Sequence, residues 1–497
     1  FLFFGYAFRF VPGKTLKNIY CLTLGFCGTW IIMGVPSLNM FISSFFVYLF
    51  VELCMPKSPK WLLPGDVGYD EKQQLAAKQE LYQKRQFIGR TTFWFSILYI
   101  FCSHIYRYVY DYLGYRLDFT AAQMLLTIKI SAYAWNRVDG ETLNDQLPLT
   151  DLRGDEQHRI DRAIRERPNP LQYFAWVYHF TSCLAGPSID YREYEMYVDG
   201  SLWKLYGLDE CPDTIKATGV KLLYALLSYP GLMLLSKFPL GKYVGTPQFY
   251  KDFPHIWQQA LYATGCNTFT RFKYYFAWYM AEAASVSTGI GLSGYNKETK
   301  EIQWDRCNGA RAWLIESATA PNHLIVSWNI RCSEWLKHYV YLRAPQRPQC
   351  LKNVLSQRLF ADLITKFTSA FWHGVYPGYY TFFLQVIFLT SFYDRLHVLL
   401  EPYFFKPNPE NPRKPTLIYP RAWIYNIIMN FFTLYSFNWL GASFIMLEFI
   451  PTWNLLNGTW WWYHISFFVL LYVLPAIICP SRLKKYQQDK KALSAAP

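Results

Sequence analysis

Apolar positions in this chain gather into long unbroken runs, not into the short alternations of strands or the one-sided stripes of solvent-facing helices. No Asp, Glu, Lys or Arg interrupts 18–51, 91–106, 168–189, 367–393, 422–447 or 449–481. A helix crossing the hydrocarbon core needs about 20 mostly apolar residues. Several runs therefore predict one spanning helix each, and 18–51, broken by Gly34 and Pro36, predicts two. Shorter or weakly interrupted stretches at 119–135, 220–239, 256–284 and 312–330 are further candidates. Together they predict roughly nine to twelve membrane segments, some re-entrant or buried rather than facing lipid.

The polar positions are equally segregated. Two charged inserts stand out: 57–90, with helical composition over 71–85, and 138–167, which mixes Asp155, Arg159, Asp161, Arg162, Arg165 and Glu166. Both read as solvated connectors along the membrane surface. A basic tail at 481–497 carries Arg482, Lys484, Lys485, Lys490 and Lys491 directly after an apolar run. The positive-inside rule places that tail in the cytosol. Counting back, 449–460 becomes non-cytosolic and the basic loop 406–421 cytosolic again. The sequon Asn457-Gly458-Thr459 then falls on the non-cytosolic side, as expected for a multi-pass protein of the endoplasmic reticulum. The apolar pattern is already under way at Phe1, so residues preceding it are expected.

Composition agrees with a bilayer solvent: 52% of residues are apolar and only 17% charged, with 20% aromatic. The formal net charge of +14 reads as topology and anionic headgroups, not nucleic acid. The eleven cysteines, Cys21, Cys27, Cys183, Cys332 and Cys479 among them, form no CxxC pair and fall mostly in apolar runs. They read as buried free thiols, neither a metal site nor a disulfide framework. With no internal repeat and no Gly-rich phosphate loop, nucleotide-driven transport has no motif to rest on.

The chemistry concentrates at 368–380, T-S-A-F-W-H-G-V-Y-P-G-Y-Y. His373 lies in a charge-free run about 15 residues after Arg358, roughly 20 Å along a helix. An ionisable group at such depth is costly and is a functional candidate by default. Gly374, Pro377 and Gly378 break the helix directly behind it, which the membrane tolerates only where backbone faces protein or a cavity. His104, His179 and His464 also lie in apolar runs, and a lone intramembrane His is as often a helix-to-helix hydrogen bonder. His373 differs by its Trp372 flank, the Gly-Pro-Gly break and a second polar centre at Ser327-Trp328-Asn329-Ile330.

The stretches S-W-N-I-R-C-S-E-W-L-K-H-Y-V-Y and S-A-F-W-H-G-V-Y-P-G-Y-Y together resemble the signature of the membrane-bound O-acyltransferase family, in its lysophospholipid acyltransferase branch. Three more agree in family order: C-L-A-G-P-S-I-D-Y-R-E-Y at 183–194, K-Y-Y-F-A-W-Y-M-A-E-A-A-S at 273–285 and S-T-G-I-G-L-S-G-Y at 287–295. The resemblance implies a single all-α polytopic domain over 1–497, with a motif-bearing core at 183–400. It further implies about eleven transmembrane helices around an internal reaction chamber, acyl-CoA arriving from the cytosol and a lysophospholipid from the bilayer. Family positions carry over to His373 and Asn329 as the catalytic pair. The spacer 343–358, with Pro345, Pro348 and Cys350, looks closer to fungal than to animal members.

Acyl transfer from a thioester needs a hydroxyl made nucleophilic and a place for the oxyanion. A neutral imidazole can take the hydroxyl proton, and an amide can steady the carbonyl oxygen without adding charge. The scheme calls for acyl-CoA as co-substrate, no cofactor and no metal. Arg331, Lys337 and Arg343 are candidates for the CoA phosphates, although basic residues at a membrane boundary are more often topological. Trp328, Trp372, Tyr376, Tyr379 and Tyr380 are candidate tunnel residues, against the ordinary packing of membrane aromatics. Glu282, in an apolar stretch, needs a partner and reads equally as a structural hydrogen bonder or a substrate contact. Other acceptors within the family (sterol, diacylglycerol or protein) and, outside it, a polytopic transporter are the competing readings.

Overall fold

Gly34 and Pro36 divide the first apolar run as their chemistry requires. Lys14–Met33 is helical, Gly34 adopts φ 63°, a short 3-10 turn covers Val35–Ser37, and Leu38–Cys54 resumes the helix. A positive φ costs glycine little, and proline lacks the N–H that an uninterrupted helix would use. The computed structural model describes residues 1–497 except 63–65, 67, 115–117, 150–153, 236, 238–242, 354, 407, 409–415, 460, 474, 476–483, 485–487 and 489–497, together with the side chains of 388 and 391. The basic tail thus lies outside the described residues save for 484 and 488, as do Cys479 and much of the 406–421 loop.

The chain is mainly helical and divides into two units. The first comprises Phe1–Tyr229, Tyr274–Ala310 and Asn329–Val375; the second comprises Pro230–Lys273, Arg311–Trp328 and Tyr376–Pro497. Among the described residues, four helices are long and apolar enough to cross a membrane: Lys14–Met33, Val35–Cys54, Ile215–Leu235 and Pro377–Phe404. Others among the predicted spans take different forms. The run 168–189 contains only the Pro170–Val177 helix, about 12 Å long and packed against Lys14–Met33. The stretch 312–330 holds two short helices, Ala312–Glu316 and Pro321–Ser327, and 449–473 is divided among Phe449–Gly458, Trp462–Phe468 and a π-turn. Lack of charge marks burial in protein as readily as exposure to lipid. Two small antiparallel ribbons, Gly294–Tyr295 with Ile302–Gln303 and Phe405–Lys406 with Thr416–Leu417, qualify the all-α expectation.

In the first unit the Phe119–Asn144 helix is the central post. It packs against Leu38–Cys54 and along the 40-residue Glu71–Tyr110 helix, and most of its own residues are buried. That long helix absorbs the charged stretch 71–85, expected as a connector. Asp70 caps it by accepting from the Lys72 and Gln73 amides, and its first turns are rich in Ala, Leu, Lys, Glu and Gln, all good helix formers.

The second insert departs further from expectation. Residues 138–144 complete the central post, and Asp139, Asp145, Asp155 and Arg159 are buried instead of solvated, while Asp161, Arg165 and Glu166 stay exposed. Burial is possible because the charges pair: Arg159 with Asp139 at 2.6 Å, Arg137 with Glu52 at 3.1 Å, and Arg85 with Asp145. Removing one partner of such a pair leaves an uncompensated charge, at a cost of about 3–5 kcal/mol.

The second unit is built on Pro377–Phe404 packed against Ala422–Met446. Gly378 makes the approach possible: a Cβ there would lie 2.2 Å from the Ser443 carbonyl, and its amide donates to the Leu447 carbonyl at 2.7 Å. Small residues serve this purpose generally where membrane helices meet. The ten described cysteines are free thiols, as expected, but Cys27, Cys54, Cys102 and Cys350 are exposed.

Candidate active site

The helix carrying His373 is bounded by side-chain chemistry. Ser356 caps its start, accepting from the Leu359 amide at 3.1 Å, and it runs Gln357–His373. Gly374, at φ 130°, ends it, so His373 occupies the last turn and keeps part of its surface open. Helix ends leave carbonyls without intrahelical partners. Here the Trp372 carbonyl accepts from His104 Nε2 at 3.0 Å, which fixes the proton of His104 on Nε2. A Cβ on Gly374 would stand 3.1 Å from the His104 ring, so glycine is needed for the approach as well as for the turn. Trp372 is buried, donates from Nε1 to the Met124 carbonyl at 3.0 Å, and lies edge-on to the His373 ring at 4.7 Å.

Asn329 opens the other helix. It sits at φ 44°, ψ 57°, the left-handed region that Asn tolerates better than other residues with a side chain. Its carbonyl accepts from the Ser333 amide at 2.9 Å, and the next amide, Ile330, donates to the Gly309 carbonyl at 2.9 Å. The Asn329 side chain does not cap its own helix and is only part-buried, so its amide is available to another group. Ile330–Trp335 continues into a π-helical turn, Leu336–Tyr341, a form over-represented at functional sites.

These two helices pack side by side, with Trp335 and Trp372 at 6.2 Å between ring centroids. The connection 342–356 reverses the chain, so the opening of one helix, at Asn329, and the close of the other, at His373, fall at the same end of the pair. Both helices hang on the central post. Trp335 Nε1 donates to Ser131 Oγ at 3.0 Å, the Tyr339 hydroxyl to Asn136 at 2.8 Å, and Trp372 to Met124 as above.

The secondary candidates divide. Glu282 serves the structure: its carboxylate accepts from the Gly309 amide at 2.7 Å and pairs with Lys221 at 2.8 Å, while Lys221 also reaches Asn308 at 2.7 Å. Since Gly309 in turn holds Ile330, Glu282 positions the backbone entering Asn329. Arg331 is enclosed by protein partners, Glu193 at 3.0 Å, Glu334 at 3.1 Å and the Arg306 carbonyl at 2.6 Å. Burial works against the ionised form of Glu193, but Arg331, Arg162 and Arg306 outweigh it and hold that carboxyl well below its usual range. Arg343 bonds Asp139 at 3.1 Å and stacks on Trp135 at 4.2 Å; Lys337 is exposed. Trp328, Tyr376, Tyr379 and Tyr380 fall in the second unit, where Tyr379 packs on Phe444 at 4.8 Å.

His104 is the residue that sequence reasoning left undistinguished. Nothing in an isolated His within an apolar run signals that it caps the helix end next to His373.

The membrane-bound O-acyltransferase family pattern matches residues 73–438, which include Asn329 and His373. A lysophospholipid acyltransferase of Schizosaccharomyces pombe is 30% identical over 425 residues, 79% of this chain and 76% of the relative. One of the same name from Saccharomyces cerevisiae is 26% identical, over 78% of this chain and 63% of the relative. The human membrane-bound glycerophospholipid O-acyltransferase 1 is 29% identical, over 78% of this chain and 74% of the relative. The match covers well over half of the chain, motif segments and charge-free runs included, and this multi-pass membrane protein belongs to the membrane-bound O-acyltransferase family.

Proposed function

We propose that the protein transfers a fatty acyl group from acyl-CoA to the free glycerol hydroxyl of a lysophospholipid, in the remodelling of membrane phospholipids. The observation that supports this reading is that Asn329 and His373 stand on two helices that pack side by side, in a chain whose relatives are named for lysophospholipid acylation. His373 takes the proton of the acceptor hydroxyl as its oxygen attacks the thioester carbonyl. The Asn329 amide donates to the carbonyl oxygen as it gains charge. The C–S bond then breaks, CoA thiolate leaves, and the proton held by His373 neutralises it. No step requires a covalent acyl-enzyme, a cofactor or a metal.

About eleven membrane helices would enclose the chamber for this reaction, in the endoplasmic reticulum membrane, with acyl-CoA drawn from the cytosol. Excluding water there favours transfer over thioester hydrolysis. Glu282, His104 and the Phe119–Asn144 post act through position, by fixing the two helix ends that carry the chemistry.

The purified protein in detergent micelles, given oleoyl-CoA, is expected to release CoA only when a lysophospholipid is added. CoA release at the same rate with no acceptor present would mark a thioesterase and refute the proposal.

A further inference from the structure

Arg331, two residues past Asn329, belongs to a closed ring of hydrogen bonds that the acyl-transfer step does not itself use. The carboxylate at its centre is that of Glu193, buried in the first turn of the Tyr191–Asp199 helix. Glu193 accepts from Arg331 Nη2 on both oxygens, at 3.0 and 3.2 Å, and from Arg306 Nη1 at 3.1 Å. Arg331 Nη2 also donates to the Arg306 carbonyl at 2.6 Å, which closes the ring. Arg306 is anchored in turn, from Nε to the Leu292 carbonyl at 2.7 Å and from Nη2 to the Tyr206 hydroxyl at 2.8 Å. The Asp190 amide donates to the same carboxylate at 3.2 Å and holds Glu193 in place.

The ring reaches Asn329 through the backbone. Ile330 donates its amide to the Gly309 carbonyl at 2.9 Å, and Arg331 reaches the Arg306 carbonyl three residues earlier in the same segment. Two successive residues of the helix that Asn329 opens are thus tied to one stretch of chain. A single tie leaves a helix start free to swivel about it; two do not. Asn329 itself is in the left-handed region, a conformation that persists only where the surroundings over-determine it. The remaining partner of Arg331, Glu334, lies on the same helix and is 43% exposed, so that pair adds little and cannot orient the helix against its neighbours.

Arg331 is correspondingly ill-placed to hold the phosphates of CoA. Its side chain is only 9% exposed, and Nε alone of its nitrogens lacks a hydrogen-bond partner. A guanidinium grips a phosphate through two parallel N–H groups. Either such edge includes Nη2, which Glu193 and the Arg306 carbonyl already occupy.

We propose that Arg331, held by Glu193, is a positioning residue for Asn329, on the reading of Asn329 as donor to the developing oxyanion. The ring sets the angle at which the Asn329 amide meets the thioester carbonyl, and Arg331 takes no part in binding CoA.

The test is steady-state kinetics of the purified full chain in detergent micelles, with oleoyl-CoA and lysophosphatidylcholine. Arg331→Gln removes the guanidinium but leaves Glu193 with Arg306 and Arg162, so the fold is expected to survive. Arg331→Lys keeps the charge without the fork and is read the same way should the first variant aggregate. Misplacing a reacting group by an ångström can cost about 100-fold, so kcat is expected to fall by about 10- to 100-fold while the apparent KM for oleoyl-CoA changes by less than about twofold. In the Asn329→Gly background there is no amide left to position, and adding Arg331→Gln is expected to lower kcat by less than about twofold further. An undiminished kcat with a raised KM for oleoyl-CoA would make Arg331 a phosphate ligand, and an equal fold-loss in both backgrounds would make it a general prop of the fold; either result overturns the proposal. Wild-type turnover by Asn329→Gly alone would instead refute the role of Asn329 itself, and the proposal with it.

Discussion

His373→Ala is expected to leave a folded, correctly eluting protein whose acyl transfer is at least about 100-fold slower than wild type, the lower bound of what a positioned general base contributes. The substitution should be gentle on the fold. His373 is in the last turn of its helix, and the bonds that anchor that turn come from its neighbours: Trp372 to Met124, His104 to the Trp372 carbonyl, and the Gly374 amide to Ala370. A midpoint of thermal unfolding within a few degrees of wild type, together with lost turnover, separates a chemical role from a structural one. Turnover above about a tenth of wild type would rule out His373 as the base.

Asn329 calls for a series of variants, because its backbone and its amide make separate demands. At φ 44° a left-handed backbone is strained for most residues with a Cβ. Asn329→Ala therefore removes the amide and adds strain together. Asn329→Gly keeps the backbone conformation at no steric cost and removes only the amide. Losing one donor to a developing oxyanion typically costs 10²–10³-fold in turnover. Asn329→Gly should fall by about that factor with little change in stability, and Asn329→Ala by as much again or more. Asn329→Asp, of the same shape, should also be poor, since a carboxylate offers no donor. If Asn329→Gly turned over at the wild-type rate while Asn329→Ala failed, the residue would be a helix-opening device and not part of the chemistry.

How far the sequence foretells this structure depends on whether the deciding interaction is local. Gly34 with Pro36, and Gly374 with Pro377, act on their own backbone, and helices end at both places as read from the residues alone. Asn329 and His373 are legible through the order of motif segments, and the chain reversal between them accounts for their common end. What escapes prediction depends on distant partners. The 138–167 insert has the mixed charge of a solvated loop, yet Asp139, Asp145 and Arg159 are inside because Arg343, Arg85 and each other meet them there. Arg331 has the composition of a phosphate ligand and is taken by Glu193, which lies far earlier in the chain. Likewise, a charge-free stretch such as 168–189 reads as a lipid-facing span, whereas Tyr173, Ala175, Trp176 and Val177 are buried in protein. Hydropathy reports the absence of water and does not distinguish the two surroundings.

The acceptor is the point on which the proposed reaction turns. A lysophospholipid can carry its glycerol hydroxyl in from the leaflet while its headgroup stays near water, whereas a short polar alcohol or a peptide has no apolar part to offset its desolvation. The decisive measurement gives the purified protein oleoyl-CoA and an equimolar mixture of lysophosphatidylcholine, -ethanolamine, -serine and lysophosphatidic acid with cholesterol, diacylglycerol and a peptide, and identifies every acylated product by mass spectrometry. Diacyl phospholipids are predicted to form, with the lysophospholipids competing among themselves and headgroup choice expressed more in apparent affinity than in turnover. Transfer to the sterol, the diacylglycerol or the peptide, with none to any lysophospholipid, would contradict the proposed activity.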